Sequence, residues 1–91
     1  MKILEVKYLN DYNISVKFED GVSGTIHLND IVTKGIFQSL QDKTIFAKVF
    51  TTGYSIAWSN ELEIDALNIY SEITGKDFGE IINPKLSYAS N

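Results

Sequence analysis

No cysteine and no arginine occur among the 91 residues, and proline, histidine and tryptophan occur once each, as Pro84, His27 and Trp58. Each absence excludes something. Without cysteine there is no disulfide framework and no thiolate metal site, so the core alone must hold the fold. Without arginine the chain lacks the planar fork that grips phosphate and guanine edges in two places at once. All eight cationic residues are lysines, scattered along the chain, and the net charge is -4. Direct nucleic-acid binding is therefore not expected, and a basic partner protein suits the charge better. No segment approaches the ~20 apolar residues of a membrane span, and the opening MKILEVKYLN holds no apolar run of signal-peptide length. The expected location is the cytoplasm, away from membranes.

Hydrophobic residues make up 44% of the chain, enough at this length for one modest core. We expect a single domain over 1–78 and a partly ordered polar tail, GEIINPKLSYASN, over 79–91.

Alternation organises the first third. In ILEVKYLNDYNISVKFEDGVSGTIHL, Leu4, Val6 and Tyr8 share a face with Ile14, Val16 and Phe18, and then with Val22, Ile26 and Leu28. Every inward residue has an even number, so the turns must preserve that parity. A three-residue Glu19-Asp20-Gly21 loop pairs Phe18 with Val22 and puts glycine where a left-handed residue is needed. The same reasoning predicts a Leu9-Asn10-Asp11 turn pairing Tyr8 with Tyr12. Gly24, opposite Val16, marks a bulge or a close approach by one of the domain's own helices.

From Asn29 the period changes to short helical pieces. Asn29 or Asp30 is suited to cap a turn ending at Gly35, and Asp42 one holding Ile45, Phe46 and Val49. A second hairpin follows around Gly53, with Phe50–Tyr54 and Val49–Ile56 pairings both open; Tyr54 and Ile56 are expected on the face of Trp58. Asp65 then caps a helix that Gly75 stops, with Leu67, Tyr70 and Ile73 toward the sheet. The expected fold is α+β: an antiparallel meander of about five strands with short helices packed on one face.

Chemistry concentrates only in WSNELEIDALNIY, residues 58–70, where Trp58 and Asn60 stand beside Glu61, Glu63 and Asp65. On an extended segment the three carboxylates would share one face, the best case for a metal or a carboxylate dyad. No histidine is close and no calcium loop follows, whereas a helix cap needs only Asp65. His27 lies on the solvent side of its strand, without an orienting carboxylate or a nucleophile. Neither a nucleotide loop nor a nucleophile elbow is present. We expect no enzyme activity, no catalytic residues, no metal and no cofactor.

The pattern Phe18-x-Asp20-Gly21, with Gly24 and Leu28 behind it, the segment GIFQSLQDKTIF, and then Trp58, Asn60, Glu63 and Ile69-Tyr70 resemble the bacterial family called Domain of Unknown Function 2442. The similarity covers roughly residues 3–70. Glu63 stands where the family commonly has aspartate, and Ala66 where it commonly has proline. A proline there would occupy the first helical position, which agrees with Asp65 as the cap. The resemblance implies an α+β fold without established enzyme activity. It also implies a place in bacterial operons beside small partner genes, some arranged like toxin–antitoxin pairs.

The expected function is a non-enzymatic protein-binding module, a monomer or weak homodimer, acting with a small basic partner from the same operon in an antitoxin-like or regulatory role. Its expected docking residues are Trp58, Asn60, Glu61, Glu63, Asp65 and Tyr70, since tryptophan and tyrosine suit interface anchors. The alternative is a small-molecule or metal-binding domain using the acidic corner 61–65.

Overall fold

Alternating apolar residues build the first sheet as expected. β1 (Ile3–Asn10), β2 (Asn13–Phe18) and β3 (Ser23–His27) pair in that order, each antiparallel to the next. The computed structural model describes residues 1–59 and 61–75; the expected domain limit at 78 and the tail at 79–91 lie outside the described residues. Ile14, Val16, Phe18 and Ile26 are buried on the inner face, each burial contributing about 1.5–3 kcal/mol. The β2–β3 turn is the expected three-residue loop: the Phe18 N–H donates to the Val22 carbonyl at 2.8 Å, and Gly21 adopts φ 91°. A side chain there would be strained.

β1 corrects the parity rule. Leu4 is 55% exposed, and Ile3 is buried in its place. Ile3 faces Phe18 while Glu5 faces Lys17, so Leu4 is an extra residue, a β-bulge that moves everything before it to the opposite face. A second bulge, at Leu9, overturns the expected first turn. Tyr8 pairs with Ile14 rather than Tyr12, and Asp11-Tyr12 reverse the chain between Asn10 and Asn13. A two-residue turn alone would set the core face against solvent, and the bulge at Leu9 restores the match.

The chain leaves this sheet through two 3-10 helices, Ile31–Thr33 and Gly35–Gln41, and then α1 (Lys43–Phe46). Asp42 caps α1, accepting the Thr44 N–H at 2.9 Å. Asp30 precedes the first 3-10 helix but makes no side-chain cap bond. Val32, Leu40 and Phe46 carry this segment's share of the core.

A second sheet follows: β4 (Phe50–Thr51), β5 (Ser55–Ala57) and β6 (Glu63–Asp65), antiparallel and in that order. The protein is thus α+β with two three-stranded antiparallel sheets, not one meander of about five strands. The helical residues after β3 take the chain across the molecule, so the second hairpin lands beside β1, where the Ile3 N–H donates to the Gly53 carbonyl at 2.7 Å. Phe50 pairs with Ala57 and Thr51 with Ile56, neither of the registers the sequence left open. The Thr51 hydroxyl bonds the Ser55 carbonyl at 2.8 Å, and the Thr52 and Ser55 hydroxyls meet at 2.6 Å. These bonds draw the loop into a tight reversal at Gly53-Tyr54, so Tyr54 is 67% exposed instead of facing the core.

α2 (Ala66–Thr74) closes the core. It buries Ala66, Ile69 and Tyr70, with Ile73 half-buried one turn further on. This i, i+3, i+4, i+7 stripe leaves Leu67, expected to face the sheet, half-buried at its margin. A Cβ on Gly24 would lie 2.8 Å from Ile73 Cγ2. Gly24 therefore serves close helix packing, as the lone glycine on an apolar face predicts.

Candidate functional site

The segment 58–70 starts just after β5 and ends on α2, and its members point in different directions. Trp58 follows β5; its indole N–H donates to the Phe46 carbonyl at 2.9 Å, and its ring packs on Phe46 with centroids 5.5 Å apart. Tyr8 and Tyr12 meet the same Phe46 ring edge-on. Trp58 is half-buried in this aromatic group, fastening α1 to the second sheet.

After Trp58 the chain reverses. The Trp58 N–H donates to the Leu62 carbonyl at 2.9 Å, and the Ser59 hydroxyl receives the Glu61 N–H at 3.3 Å. Asn60 lies outside the described residues. Because Glu61 belongs to the reversal, it does not continue the alternation of Glu63 and Asp65, which the sequence pattern suggested. Among the described residues no three histidine, aspartate or glutamate side chains converge as a metal set.

β6 itself was not expected; an extended link was. Ile64 opposite Ile56 draws residues 63–65 onto β5 and leaves Glu63 and Asp65 on the outer side. Asp65 accepts the Leu67 N–H at 2.8 Å, and Gly75 at φ 74° ends α2. The cap and the stop are both as the residue types predict.

Tyr70 joins a different group. Its ring meets Phe18 edge-on at 4.9 Å, and its hydroxyl donates to Asp20 Oδ2 at 2.6 Å. Asp20 Oδ1 also receives the Val22 N–H at 2.9 Å. One carboxylate thereby shapes the β2–β3 turn and ties it to α2. The hydrogen bond to Asp20, then burial, then the charge of Asp20 raise the Tyr70 pKa above its ordinary 10.0. At neutral pH the phenol is a firmly protonated donor, suited to holding α2 rather than to moving protons.

These contacts explain why Phe18, Asp20, Gly21 and Gly24 occur with a tyrosine-bearing helix. Residues 3–75 match the model of the family described as protein of unknown function (DUF2442). The chain belongs to this family. No curated protein and no solved structure matches it. The family segment Phe18-x-Asp20-Gly21 and Tyr70 form one structural latch in this DUF2442 domain. Glu63, where the resemblance led to an expectation of aspartate, is exposed on β6.

The expected site residues that are described therefore fall into four places. Trp58 packs on Phe46, Tyr70 sits under the β2–β3 turn, Glu61 lies in the reversal after Trp58, and Glu63 and Asp65 stand on β6. Sequence reasoning missed Asp20, whose partner lies fifty residues away. The aspartate of an Asp-Gly turn signals only local structure. It also missed Phe50, which stands across β5 on the same face as Glu63: Phe50 pairs with Ala57, and Ala57 with Glu63. Among the described residues no helix is long and apolar enough to cross a membrane.

Proposed function

We propose that this DUF2442 domain is a non-enzymatic protein-binding module that docks a small basic protein on the outer face of its second sheet. The partner envisaged is an operon neighbour in the bacterial cytoplasm, and the role antitoxin-like or regulatory. One observation carries the reading: in the row Phe50–Ala57–Glu63 a ring that is 45% exposed and an exposed carboxylate flank the buried Ala57. Tyr54 at the adjoining turn adds a second exposed ring. Aromatic faces and carboxylates together attract lysine and arginine side chains through cation–π and ionic contact. Trp58 contributes by holding β5 in place rather than by touching the partner. The small-molecule or metal alternative at 61–65 gains nothing from a Glu61 that leaves the common face.

The test is titration of the purified chain with the products of the genes flanking its own. A basic product is expected to bind, more weakly as salt rises. Glu63→Lys and Phe50→Ala should each weaken binding by roughly tenfold or more while leaving the melting temperature near wild type. Binding that both variants leave intact would move the surface elsewhere, and no binding by any flanking product would end the proposal.

A further inference from the structure

Sheet edges differ in what they leave unpaired, and the two edges of the first sheet are unlike. Bonds at the two ends of the β2–β3 ribbon, Phe18 N–H to the Val22 carbonyl and Leu28 N–H to the Tyr12 carbonyl, set its alternation. Ile14 with Ile26 and Val16 with Gly24 are then the bonded pairs. Ser23, Thr25 and His27, opposite Lys17, Ser15 and Asn13, turn their N–H and C=O groups away from β2. Among the described residues no backbone group of another element meets them.

The β1 edge is defended. Gly53 takes the outward Ile3 N–H, bulges at Leu4 and Leu9 interrupt the row, and Lys2, Glu5 and Lys7 charge it. β3 has no bulge, no proline, no lysine and no carboxylate. Natural proteins rarely leave a regular edge so unguarded unless something pairs with it.

We infer that two copies of this chain pair antiparallel along β3, about a two-fold axis at Thr25, joining their first sheets into one. The outward groups are self-complementary in that register. Thr25 exchanges both backbone bonds with its partner's Thr25, and Ser23 does so with its partner's His27. On the outer face Thr25 meets threonine and Ser23 meets histidine, pairs able to hydrogen-bond across the seam. Charge selects a second copy as the occupant. A chain of net charge -4 repels itself wherever carboxylates face outward, as along β6, and this edge has none. α2 does not run along the seam, because it crosses the strands: Tyr70 lies at Phe18 and Asp20, and Ile73, in its last turn, at Gly24. A pairing about 17 Å long forms a weak dimer that appears with concentration.

Sedimentation equilibrium between roughly 10 µM and 1 mM tests this inference. The wild-type mass should double across that range, and exchange of the Thr25 amide should slow as it does. Thr25→Pro removes an N–H that meets no backbone group among the described residues of one copy, and an edge strand tolerates proline at such a position. Thr25→Lys keeps the N–H but sets like charges together at the axis. Both variants should stay monomeric at the top of the range, with dilute melting temperatures near wild type. If Thr25→Pro fails to fold, Thr25→Lys alone decides. A wild type that is monomeric at ~1 mM, or a dimer that survives both substitutions, overturns the inference.

Discussion

Asp20 and Glu63 both stand at the margins of short antiparallel ribbons, and the fold treats them in opposite ways. Asp20 receives the Val22 N–H and the Tyr70 hydroxyl, so its carboxylate fixes a turn and anchors a helix. Glu63 stands exposed on β6, across Ala57 from Phe50 in the same cross-strand row. Of the segment richest in carboxylates, the fold uses Asp65 as a helix cap and leaves Glu63 exposed, whereas the carboxylate that ties distant elements together lies in a turn outside it.

The comparison can be broken by mutation, beginning with the sheet on which the Asp20 latch rests. Ile26 is almost fully buried on β3. Ile26→Asp should cost several kcal/mol, on the order of 3–5, because an unpaired carboxylate would enter the core. A near-native thermal melt for that variant would show the inner face assigned wrongly.

Next in size is the latch itself. Asp20→Ala removes the acceptor of the Val22 N–H and of the Tyr70 hydroxyl, and its loss of melting temperature should exceed that of Asp65→Ala, whose carboxylate receives the Leu67 N–H. Equal losses would reduce Asp20 to an ordinary turn residue. The latch also has an alkaline signature. With the folded-state pKa of Tyr70 raised above 10.0, the folded protein holds the phenolic proton more tightly than the unfolded chain does. That contribution to stability is complete below pH 10 and is lost as pH rises through the folded-state value. Tyr70→Phe should therefore lose less stability than wild type between neutral pH and strongly alkaline pH. Denaturant melts at several pH values give the two slopes, and parallel slopes would contradict the bond.

Asp65→Ala should cost ~1 kcal/mol by chemical denaturation, within the range usual for helix N-caps. Smallest of all, Glu61→Gln and Glu63→Gln should each change stability by less than ~0.5 kcal/mol. If either neutralisation raises stability clearly, mutual repulsion holds strain at that corner and the two glutamates lie closer than their places in the reversal and on β6 indicate.

Much of the first sheet was legible in the sequence because its signals are local. Ile14, Val16 and Phe18 alternate without interruption, and Glu19-Asp20-Gly21 satisfies both the parity and the left-handed glycine that the turn requires. β1 was harder to read. Its residues alternate as well as those of β2, but nothing in them announces that Leu4 and Leu9 are extra. A bulge is a property of two paired strands and cannot be seen in one. β6 escaped for a related reason: Glu63-Ile64-Asp65 has one apolar residue, and only Ile56 across the ladder makes a strand of it. At the site, the Asp65 cap was legible and the Tyr70–Asp20 bond was not. A cap joins neighbours two residues apart, whereas the latch needs the whole fold to bring its ends together.

What this sequence determined by itself is the part written in nearest neighbours. It set the apolar alternation of β2 and β3, the glycine at the β2–β3 turn, the Asp65 and Gly75 boundaries of α2, and a charge balance without arginine. Backbone dihedrals, capping bonds and side-chain periodicity act over a few residues, so residue types suffice to specify them. Tertiary structure alone decided the rest. It divided the strands into two sheets, shifted β1 onto Ile3, joined Asp20 to Tyr70, and set Phe50 and Glu63 on either side of Ala57. Each of these depends on segments far apart in the chain meeting in a particular register, and that register is chosen only when the core packs.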